Sequence, residues 1–328
     1  MDSHPPLNSH PPRNLGLDLV RVTEAAALAA GRFLGFGDSE APNRAAVDAM
    51  VGALNTLDMD GHIVIGEEGR LGARTPLDTG ERVGTADGPA MDVVVNPIDG
   101  RALVANFKTG ALAVAAVGPR GAMWRPAPAA YMDKIIVDAE VAEALVPECM
   151  GAPAPWVLAL VARVKKKAVR DLVVFVLDRP RHATLIAEIR AAGARVLLRS
   201  DGDIGGALLA ADLKGGVDLL MGTGGTSEGV MAACAVKSLG GAMLARLAPQ
   251  TPAERAAVEA AGLDTRRVLH CEELVAGSRI FFAATGITDS LVLSGVRYHG
   301  ATAETESIVL RSETGTRRFI RTEHHAAV

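Results

Sequence analysis

The hydrophobic positions of this chain recur with a helical period near its start and as short buried runs further on. Alanine and leucine repeat every three to four residues over 15–34 and again over 43–57, which predicts two amphipathic helices. A turn that contains Asp38 joins them. The apolar run 62–65 then predicts a short strand that ends at the acidic residue Glu67. The first part of the chain is therefore predicted to be an αα-hairpin followed by a strand with a carboxylate at its end.

A second strand end carries several groups that are able to bind a ligand. Three valines at 93–95 predict a buried strand, and Asn96 and Pro97 are expected to end it because proline cannot donate to a strand ladder. Asp99 and Gly100 follow at once, so a carboxylate, a carboxamide and backbone N–H groups meet at the mouth of a sheet. Such a mouth can hold a metal or a phosphate. On these residues alone an ordinary turn is the simpler interpretation, since proline, aspartate and glycine are common in turns.

Strands and helices alternate through the second half of the chain. Predicted strands at 172–177, 194–198 and 217–221 are each followed by a predicted helix. This alternation with short links indicates an α/β fold with a largely parallel sheet, in which ligands lie beyond the carboxyl ends of the strands. The last of these ends is glycine-rich and leads into a helix, whose first N–H groups can bind an anion. The residues at the three ends are Asp178, Arg179, Pro180, Arg181, Asp201, Gly202, Asp203 and the segment 222–229.

Three further segments complete the prediction of the fold. The proline-rich segment 121–134 is predicted to be irregular and to reach the edge of a cleft at Tyr131. The lysines at 165–167 are predicted to lie on the solvated face of a helix, because the charged run is short and isolated. After residue 281, apolar and polar residues alternate around a turn at 313–316, which predicts a terminal antiparallel meander.

Composition narrows the classes of protein that fit this fold. Of the 328 residues 49% are hydrophobic but only 3% are aromatic, so the core is built from alanine, valine and leucine. The net charge of -4 and the scattered basic residues argue against a nucleic-acid partner. The three cysteines are widely spaced, which argues against a disulfide framework or a zinc site and indicates a reducing cytoplasm. No apolar run is long enough to span a membrane, and residues 1–14 are predicted to be a disordered tail.

Several short motifs occur in a fixed order along the chain: LVRVTEAAALAA, IVIGE, NPIDG, YMDK, LDRPRH, DGDIGGA, GTGGTSEGV and ATGIT. Their sequence and order resemble those of the class II fructose-1,6-bisphosphatases of the glycerol-operon type, from about residue 15 to about residue 322. That family belongs to the lithium-sensitive sugar and inositol phosphatases. The resemblance implies a layered α/β/α/β/α sandwich of the sugar phosphatase type. It also implies metal-dependent hydrolysis of a phosphate ester on fructose-1,6-bisphosphate or a related ketose phosphate.

The same resemblance assigns roles to individual residues. Mg²⁺ or Mn²⁺ would be bound by oxygen ligands, which these ions prefer, at Asp38, Glu67, Asn96, Asp99 and Glu228. Catalysis would rest on Glu67, Asp99 and Arg101. The sugar phosphate would be held by Asp99, Gly100, Arg101, Tyr131, Arg179, Pro180, Arg181, Asp201, Gly202, Asp203 and Gly225. The chain would then consist of a metal and phosphate domain at 15–165 and a sugar-phosphate domain at 166–328.

The chain departs from the family pattern at the reacting end of this site. Asn96 stands where the family has a metal-binding aspartate, and Arg101 stands where it has a threonine associated with the attacking water. Gly69 and Ser39 replace an acid and a lysine. The chain is therefore either a metal-dependent phosphatase or a diverged relative that binds a phosphorylated or pyrophosphorylated sugar and transfers a group without hydrolysis, or only binds it. In both cases the resemblance implies a small sugar phosphate as ligand, a homo-oligomer and a cytoplasmic location.

Overall fold

The structure is a computed structural model that describes residues 15–68, 74–212 and 214–325. The predicted tail at 1–14 and the family position at Gly69 lie outside these ranges. None of the helices within the ranges is both long enough and apolar enough to cross a membrane. These α-helices are α1 (Leu15–Gly31), α2 (Glu40–Leu54), α3 (Arg101–Ala105), α4 (Ala154–Val164), α5 (Ala183–Ala191), α6 (Asp203–Ala211), α7 (Thr226–Leu239), α8 (Pro252–Ala260) and α9 (Cys271–Leu274).

The helical hairpin predicted for the start of the chain is confirmed, with α1 packed against α2. Asp38 lies in the connection, where its Oδ1 accepts hydrogen bonds from the backbone N–H groups of Glu40 at 2.7 Å and Ala41 at 3.3 Å. An aspartate in this position satisfies N–H groups that a helix start leaves without partners. Helix α2 therefore begins at Glu40, earlier than the periodicity alone predicted.

The strands divide between two sheets. The larger sheet has eight strands in the order β12-β13-β11-β4-β3-β1-β2, and β14 pairs with β13. Antiparallel pairing of β11, β13 and β14 confirms the terminal meander and its turn. The strands, in chain order, are β1 (Asp60–Ile65), β2 (Arg82–Val83), β3 (Ala90–Asp99), β4 (Leu112–Pro119), β5 (Tyr131–Val137), β6 (Val173–Leu177), β7 (Arg195–Arg199), β8 (Leu219–Gly225), β9 (Ala242–Leu247), β10 (Leu269–His270), β11 (Phe281–Gly286), β12 (Arg297–His299), β13 (Thr302–Arg311) and β14 (Thr316–His325).

The second sheet has six strands in the order β10-β9-β5-β8-β6-β7. Strand β6 pairs parallel with β7 and with β8, as the alternation of strands and helices predicted. Strands β8 and β9 also share a direction, because each pairs antiparallel with β5. The largely parallel sheet is confirmed, because β6, β7, β8 and β9 run in one direction, but the opposite direction of β5 was not predicted. The physical reason is that β5 enters from the first sheet and lies between β8 and β9 in the opposite direction, which the local sequence does not reveal.

The two sheets and the helices stack in five layers, which follows from the alternation of side chains along single strands. In β3, Val93 and Val95 belong to the core that contains α1 and α2, whereas Val94 belongs to the core that contains α6 and α7. In β6, Phe175 faces α6 and α7, whereas Val174 belongs to the core that contains α4 and α5. Each sheet is therefore covered on both faces, and the layered α/β/α/β/α sandwich is confirmed.

Strand β3 continues past Pro97 to Asp99 and does not end at Asn96 as expected. Its register against β4 shifts between Asn96 and Asp99, and its pairing with β1 ends at Val94. Pro97 therefore occupies a position outside both ladders, so its missing N–H group breaks no pairing. Asp99 is consequently the last residue of a buried strand, which fixes its backbone at the sheet edge.

The lysines at 165–167 follow helix α4 and do not lie on a solvated helix face. The side chain of Lys165 is 7% exposed and forms ion pairs with Asp138 and, at 3.2 Å, with Asp218. Lys167 contacts Asp218 at 2.6 Å. Burial alone would lower the pKa of Lys165, but hydrogen bonds to the two aspartates raise it. Lys165 is therefore part of a largely buried ion-pair network whose acids are distant in sequence, whereas Lys166 and Lys167 are exposed.

The two sheets draw on both halves of the chain. Strands β5 to β10 build the second sheet, and β11 to β14 then return to the first. Strand β5 and helix α4 precede residue 166 but already belong to the second sheet and its outer helical layer. The predicted division into domains at 15–165 and 166–328 stays a prediction.

Candidate active site

A cavity of about 940 Å³ opens at one edge of the second sheet. Strands β6 and β8 end at this edge, and β5 begins there because it runs antiparallel to β8, with Tyr131 opposite Gly225. Asp99 reaches the same cavity from the end of β3 in the first sheet. The cavity thus brings together predicted residues from well-separated parts of the chain: Asp99, Tyr131, Arg179, Arg181, Asp201, Asp203, Gly225 and Glu228.

Four carboxylates act on one another in this cavity. Asp99 is 3% exposed, and its Oδ2 accepts a hydrogen bond of 3.3 Å from the backbone N–H of Ile204. Burial raises the pKa of Asp99 well above its ordinary value, and the charges of Asp201, Glu228 and Asp203 raise it further. Because like charges in a buried site destabilise each other, a bound cation would be favourable here.

Two arginines follow the end of β6 and supply the cavity's positive charge near the sheet edge. Burial raises the pKa of Asp201, and Arg179, whose Nη2 lies 3.9 Å from its Oδ1, limits that rise. Arg181 donates from Nε and Nη2 to the carbonyl oxygen of Thr223 at 3.2 and 3.0 Å. Its guanidinium also lies 5.3 Å from the ring centroid of Tyr131. Planar guanidinium groups held in this way suit the recognition of phosphate.

Two glycines at the end of β8 let carboxylates approach the backbone closely. A Cβ atom on Gly225 would lie 1.9 Å from Oε2 of Glu228. A Cβ atom on Gly224 would lie 2.2 Å from Oδ2 of Asp203. The glycine-rich run therefore has a steric purpose, since any side chain at these positions would displace an acid from the cavity.

Lys134 holds one of these acids in place. Its side chain is 1% exposed and forms an ion pair with the Asp203 carboxylate, which lines the cavity and is itself 7% exposed. Ion pairs that are buried to this degree require good geometry, because both charges have lost their water. The pair therefore fixes the position of Asp203 at the cavity wall.

His182 joins the ends of β6 and β8. Its Nδ1 lies 2.6 Å from the carbonyl oxygen of Leu177, and its Nε2 accepts a hydrogen bond of 2.8 Å from the backbone N–H of Thr223. The ring is therefore neutral, with its proton on Nδ1. Burial lowers the pKa of His182, and the neighbouring Arg181 charge lowers it further. The imidazole connects the strand that leads to the arginines with the strand that leads to the glycine-rich turn.

His182 is expected to make the stability of the fold depend on pH. The unfolded chain, with a histidine pKa near 6.5, takes up the proton before the folded chain does as the pH falls. The free energy of unfolding that neutral His182 contributes is fully present above this pKa of the unfolded chain. It is lost as the pH falls below that pKa, by up to about 1.4 kcal/mol per pH unit. Urea unfolding at several pH values should give a shallower dependence for H182Q than for the wild type. Equal slopes would contradict this role.

Glu254 in α8 fixes the segment before Tyr131 and was missed by the sequence reasoning. Its Oε1 accepts hydrogen bonds from the backbone N–H groups of Ala130 at 2.8 Å and Tyr131 at 3.0 Å. Its Oε2 accepts one from Gln250 N at 2.8 Å. The available signal was the spacing of Thr251 and Glu254, a helix-start pattern in which Thr251 Oγ1 accepts from Glu254 N at 3.1 Å.

Several residues assigned by the resemblance do not line the cavity. Asp38 is exposed at the start of α2. Glu67 is fully buried, and its Oε2 accepts a hydrogen bond of 2.9 Å from Nδ2 of Asn43. Asn96 is 1% exposed within β3, and Arg101 is the first residue of α3. Their roles in metal binding or reaction stay predictions.

Three predicted substrate residues shape the backbone around the cavity. Gly100 and Gly202 precede α3 and α6 with φ values of 92° and 89°, a left-handed conformation that glycine adopts without strain. Pro180 opens the short 3₁₀ turn that carries Arg181. These residues therefore position their neighbours, and direct contact with a sugar phosphate stays a prediction.

The acidic part of the cavity fits a divalent cation that is held by few protein ligands. Within residues 15–68, 74–212 and 214–325, no three His, Cys, Asp or Glu side chains form a cluster that could hold an ion by themselves. Mg²⁺, however, is usually bound by one or two carboxylates together with water and substrate phosphate. Asp99 and Glu228, whose charges act on each other, provide such a pair. A cation between them would offset the repulsion that raises the pKa of Asp99.

Known proteins are similar in sequence to nearly the whole of this chain. Residues 13–324 match the family model described as bacterial fructose-1,6-bisphosphatase, glpX-encoded. The chain is 38% identical over 326 residues to the fructose-1,6-bisphosphatase class 2 of Haemophilus influenzae (strain ATCC 51907 / DSM 11121 / KW20 / Rd), which covers 95% of this chain and 96% of that protein. It is also 38% identical over 340 residues to the D-fructose 1,6-bisphosphatase class 2/sedoheptulose 1,7-bisphosphatase of Synechococcus sp. (strain JA-3-3Ab), covering 94% and 95% of the two chains. The chain therefore belongs to the glpX-type family of bacterial fructose-1,6-bisphosphatases.

Proposed function

We propose that this protein hydrolyses one phosphate ester of a ketose bisphosphate, with fructose-1,6-bisphosphate and sedoheptulose-1,7-bisphosphate as the first candidates. The composition of the cavity carries the proposal, because mutually repelling carboxylates around Asp99 share one space with Arg179, Arg181 and Tyr131. The carboxylates suit a metal ion beside a reacting phosphate, and the arginines suit a second anionic group. The names of the relatives support the same class of substrate.

Each group contributes through its own side-chain chemistry. Asp99 and Glu228 would hold Mg²⁺ or Mn²⁺, which when bound polarises phosphoryl oxygens and lowers the pKa of a coordinated water. Arg179 and Arg181 would donate hydrogen bonds to phosphate oxygens, and for Arg181 these come from the N–H groups that the Thr223 carbonyl does not accept. Asp201 is half-buried in the cavity wall and would accept hydrogen bonds from sugar hydroxyl groups. The chain's own residues therefore bind and orient a bisphosphate, and their charges are complementary to those of its phosphates and of a metal ion.

Release of inorganic phosphate tests the proposal directly. Fructose-1,6-bisphosphate with Mg²⁺ or Mn²⁺ is expected to yield phosphate well above the buffer background, and EDTA is expected to remove that activity. The same assay with sedoheptulose-1,7-bisphosphate compares the two candidate substrates. No release from either bisphosphate with either metal would contradict hydrolysis.

Asn96 and Arg101 favour a second candidate function, in which the protein binds a phosphorylated or pyrophosphorylated sugar and transfers a group without hydrolysis, or only binds it. An asparagine oxygen carries no charge and binds a hard divalent ion more weakly than a carboxylate does. For this candidate, the wild type binds fructose-1,6-bisphosphate without releasing phosphate, and the double change Asn96→Asp and Arg101→Thr creates hydrolysis. Phosphate release by the wild type would exclude it.

Gly225→Ala is expected to lower kcat by about 10²-fold, because its methyl group would displace the Glu228 carboxylate by more than 1 Å. The free energy of unfolding should change by less than about 1 kcal/mol, since Glu228 is not a core side chain. Phosphate release and urea unfolding measure the two quantities. An unchanged kcat would show that the placement of Glu228 does not matter.

Gly52→Ala is the matched control for that variant. Gly52 lies within α2, away from the cavity, and no atom lies within 4 Å of a Cβ atom placed on it. The same substitution there should raise the free energy of unfolding by about 0.5–1 kcal/mol, because alanine favours the helix. Its kcat should remain that of the wild type, which separates steric displacement in the cavity from the general effect of replacing a glycine.

The family relationship supports three further parts of the proposal. The layered sandwich supports membership of the lithium-sensitive sugar and inositol phosphatases, the family supports a symmetric homo-oligomer, and a soluble sugar phosphate as substrate supports a cytoplasmic location. Light scattering during size-exclusion chromatography measures the oligomeric state.

A further inference from the structure

Arg125 is a cavity residue to which neither the motifs nor the family resemblance assigns a role. It lies in the segment between β4 and β5, and its side chain lines the same cavity as Asp99 and Arg181. The two residues that precede it are held by the segment at 274–275. Trp124 N donates to the carbonyl oxygen of Leu274 at 2.9 Å, and Met123 forms an isolated bridge with Val275. The backbone of Arg125 is therefore held at the cavity rim while its side chain is exposed.

The three arginines of the cavity differ in what already occupies their guanidinium groups. Arg179 lies 3.9 Å from Asp201, and Arg181 donates to the Thr223 carbonyl and lies over the Tyr131 ring. Arg125 forms no hydrogen bond or ion pair with any residue in the described ranges. An exposed cation on a fixed backbone at the rim of a binding cavity can therefore bind a ligand without breaking an existing contact.

The charges of the cavity match a ligand with two phosphates. Five carboxylates line it, and four of them repel one another around Asp99, where a metal ion and the reacting phosphate fit. A phosphate without a metal could not approach these acids, so a second phosphate requires cations elsewhere in the cavity. Arg125 and Arg181 both line the cavity, and Arg181 follows β6 in the second sheet, whereas Asp99 ends β3 in the first.

We propose that Arg125 binds the phosphate of the bisphosphate that is not hydrolysed and that it thereby sets the preference for bisphosphates over monophosphates. The inference rests on the proposed function, because it requires a sugar with two phosphates. Arginine forms two parallel hydrogen bonds with phosphate, and a hydrogen bond to a charged group contributes about 1.5–3 kcal/mol. Arg125 is thus a specificity-determining residue that acts on substrate binding.

The variants Arg125→Gln and Arg125→Lys test this role in the full-length protein. R125Q should raise KM for fructose-1,6-bisphosphate about 10- to 100-fold and change kcat less than about twofold. R125K should fall between R125Q and the wild type, because lysine keeps the charge but loses the planar fork. Fructose 1-phosphate and fructose 6-phosphate carry one phosphate each, so their kcat/KM values should be unaffected. Arg266→Gln is the control, since Arg266 is 93% exposed and outside the cavity.

The outcomes separate this inference from the proposed function. If the wild type hydrolyses the bisphosphate but R125Q leaves KM unchanged, or lowers kcat/KM equally for bisphosphate and monophosphates, the role of Arg125 is wrong. If the wild type releases no phosphate, the proposed hydrolysis is wrong. Calorimetry then tests separately whether Arg125 binds the bisphosphate. Fructose-1,6-bisphosphate should bind about 10- to 100-fold more weakly to R125Q than to the wild type and equally to R266Q and the wild type. Equal binding to all three proteins would overturn the inference.

Discussion

Asp99→Asn is expected to lower kcat by at least about 10²-fold and to raise the free energy of unfolding near neutral pH. The loss of activity follows because Asp99 supplies a charged oxygen where a metal ion and the reacting phosphate meet. The gain in stability follows because burial and three neighbouring carboxylates raise the pKa of Asp99, so its charged form destabilises the folded chain. Asparagine has nearly the same shape and can still accept the hydrogen bond from Ile204 N.

Phosphate release and urea unfolding measure the two effects in the same preparation. Asp48→Asn is the control, because Asp48 is exposed on α2 and should affect neither quantity. A D99N variant that is inactive and also less stable would show that Asp99 is a structural residue. A variant that keeps its activity would remove Asp99 from the reacting end of the cavity.

Lys134→Met is expected to lower the free energy of unfolding by about 3–5 kcal/mol, which is a large part of the stability of a typical domain. The lysine is 1% exposed and pairs with Asp203, so its removal leaves a buried carboxylate without its counter-charge. Methionine fills a similar volume, which keeps the packing change small. The variant should also raise KM, because Asp203 would no longer be held at the cavity wall.

The double variant K134M/D203N separates charge from packing. Removing both charges should recover most of the stability that K134M loses, since replacing a buried ion pair by neutral groups is often close to neutral. Arg82→Met is a surface control, because Arg82 pairs with Asp60 at 2.7 Å but is 66% exposed and should contribute no more than about 1 kcal/mol. A K134M variant as stable as the R82M variant would contradict the importance of the buried pair.

Local periodicity was sufficient to predict single helices and strands, whereas the layered sandwich was implied by the family resemblance. The helical spacing at 15–34 and the strand at 93–95 were both correct, because each reflects burial on a known face of one element. Strand β3 is buried on both faces, which explains why its valines follow one another without polar residues between them. Val94 and its neighbours are buried on opposite faces. Such patterns are local, and the local sequence therefore contains them.

The features of the fold that were not predicted depend on contacts between distant segments. The direction of β5 follows from its insertion between β8 and β9, so the pairing of Tyr131 with Gly225 was not predictable from either segment alone. Pro97 lies inside β3 because the ladder shifts there, and Lys165 is paired with acids from two other segments. Burial and charge at these positions are properties of the assembled sheets.

In the candidate site, too, some residues could be predicted from local sequence and others depend on contacts between distant segments. The strand-end motifs placed Arg181 and Asp201 at one edge of the second sheet, and Asp99, at the end of β3 in the first sheet, lines the same cavity. Glu254, His182 and Lys134 support that edge from behind through hydrogen bonds and an ion pair. Their partners at this edge are backbone groups or a residue far along the chain, so the sequence does not indicate these contacts, and the spacing of Thr251 and Glu254 indicates only a helix start. Motifs therefore reveal residues that face a ligand more readily than residues that hold those residues in position.

The most direct test of the central claim is a crystal structure of the Asp99→Asn variant with fructose-1,6-bisphosphate and Mg²⁺ or Mn²⁺. One phosphate is predicted to lie beside position 99 and Glu228, and the other beside Arg125 and Arg181. A bisphosphate bound outside this cavity, or bound with both phosphates on the arginines and none near Glu228, would contradict the proposed hydrolysis at the acidic part of the cavity.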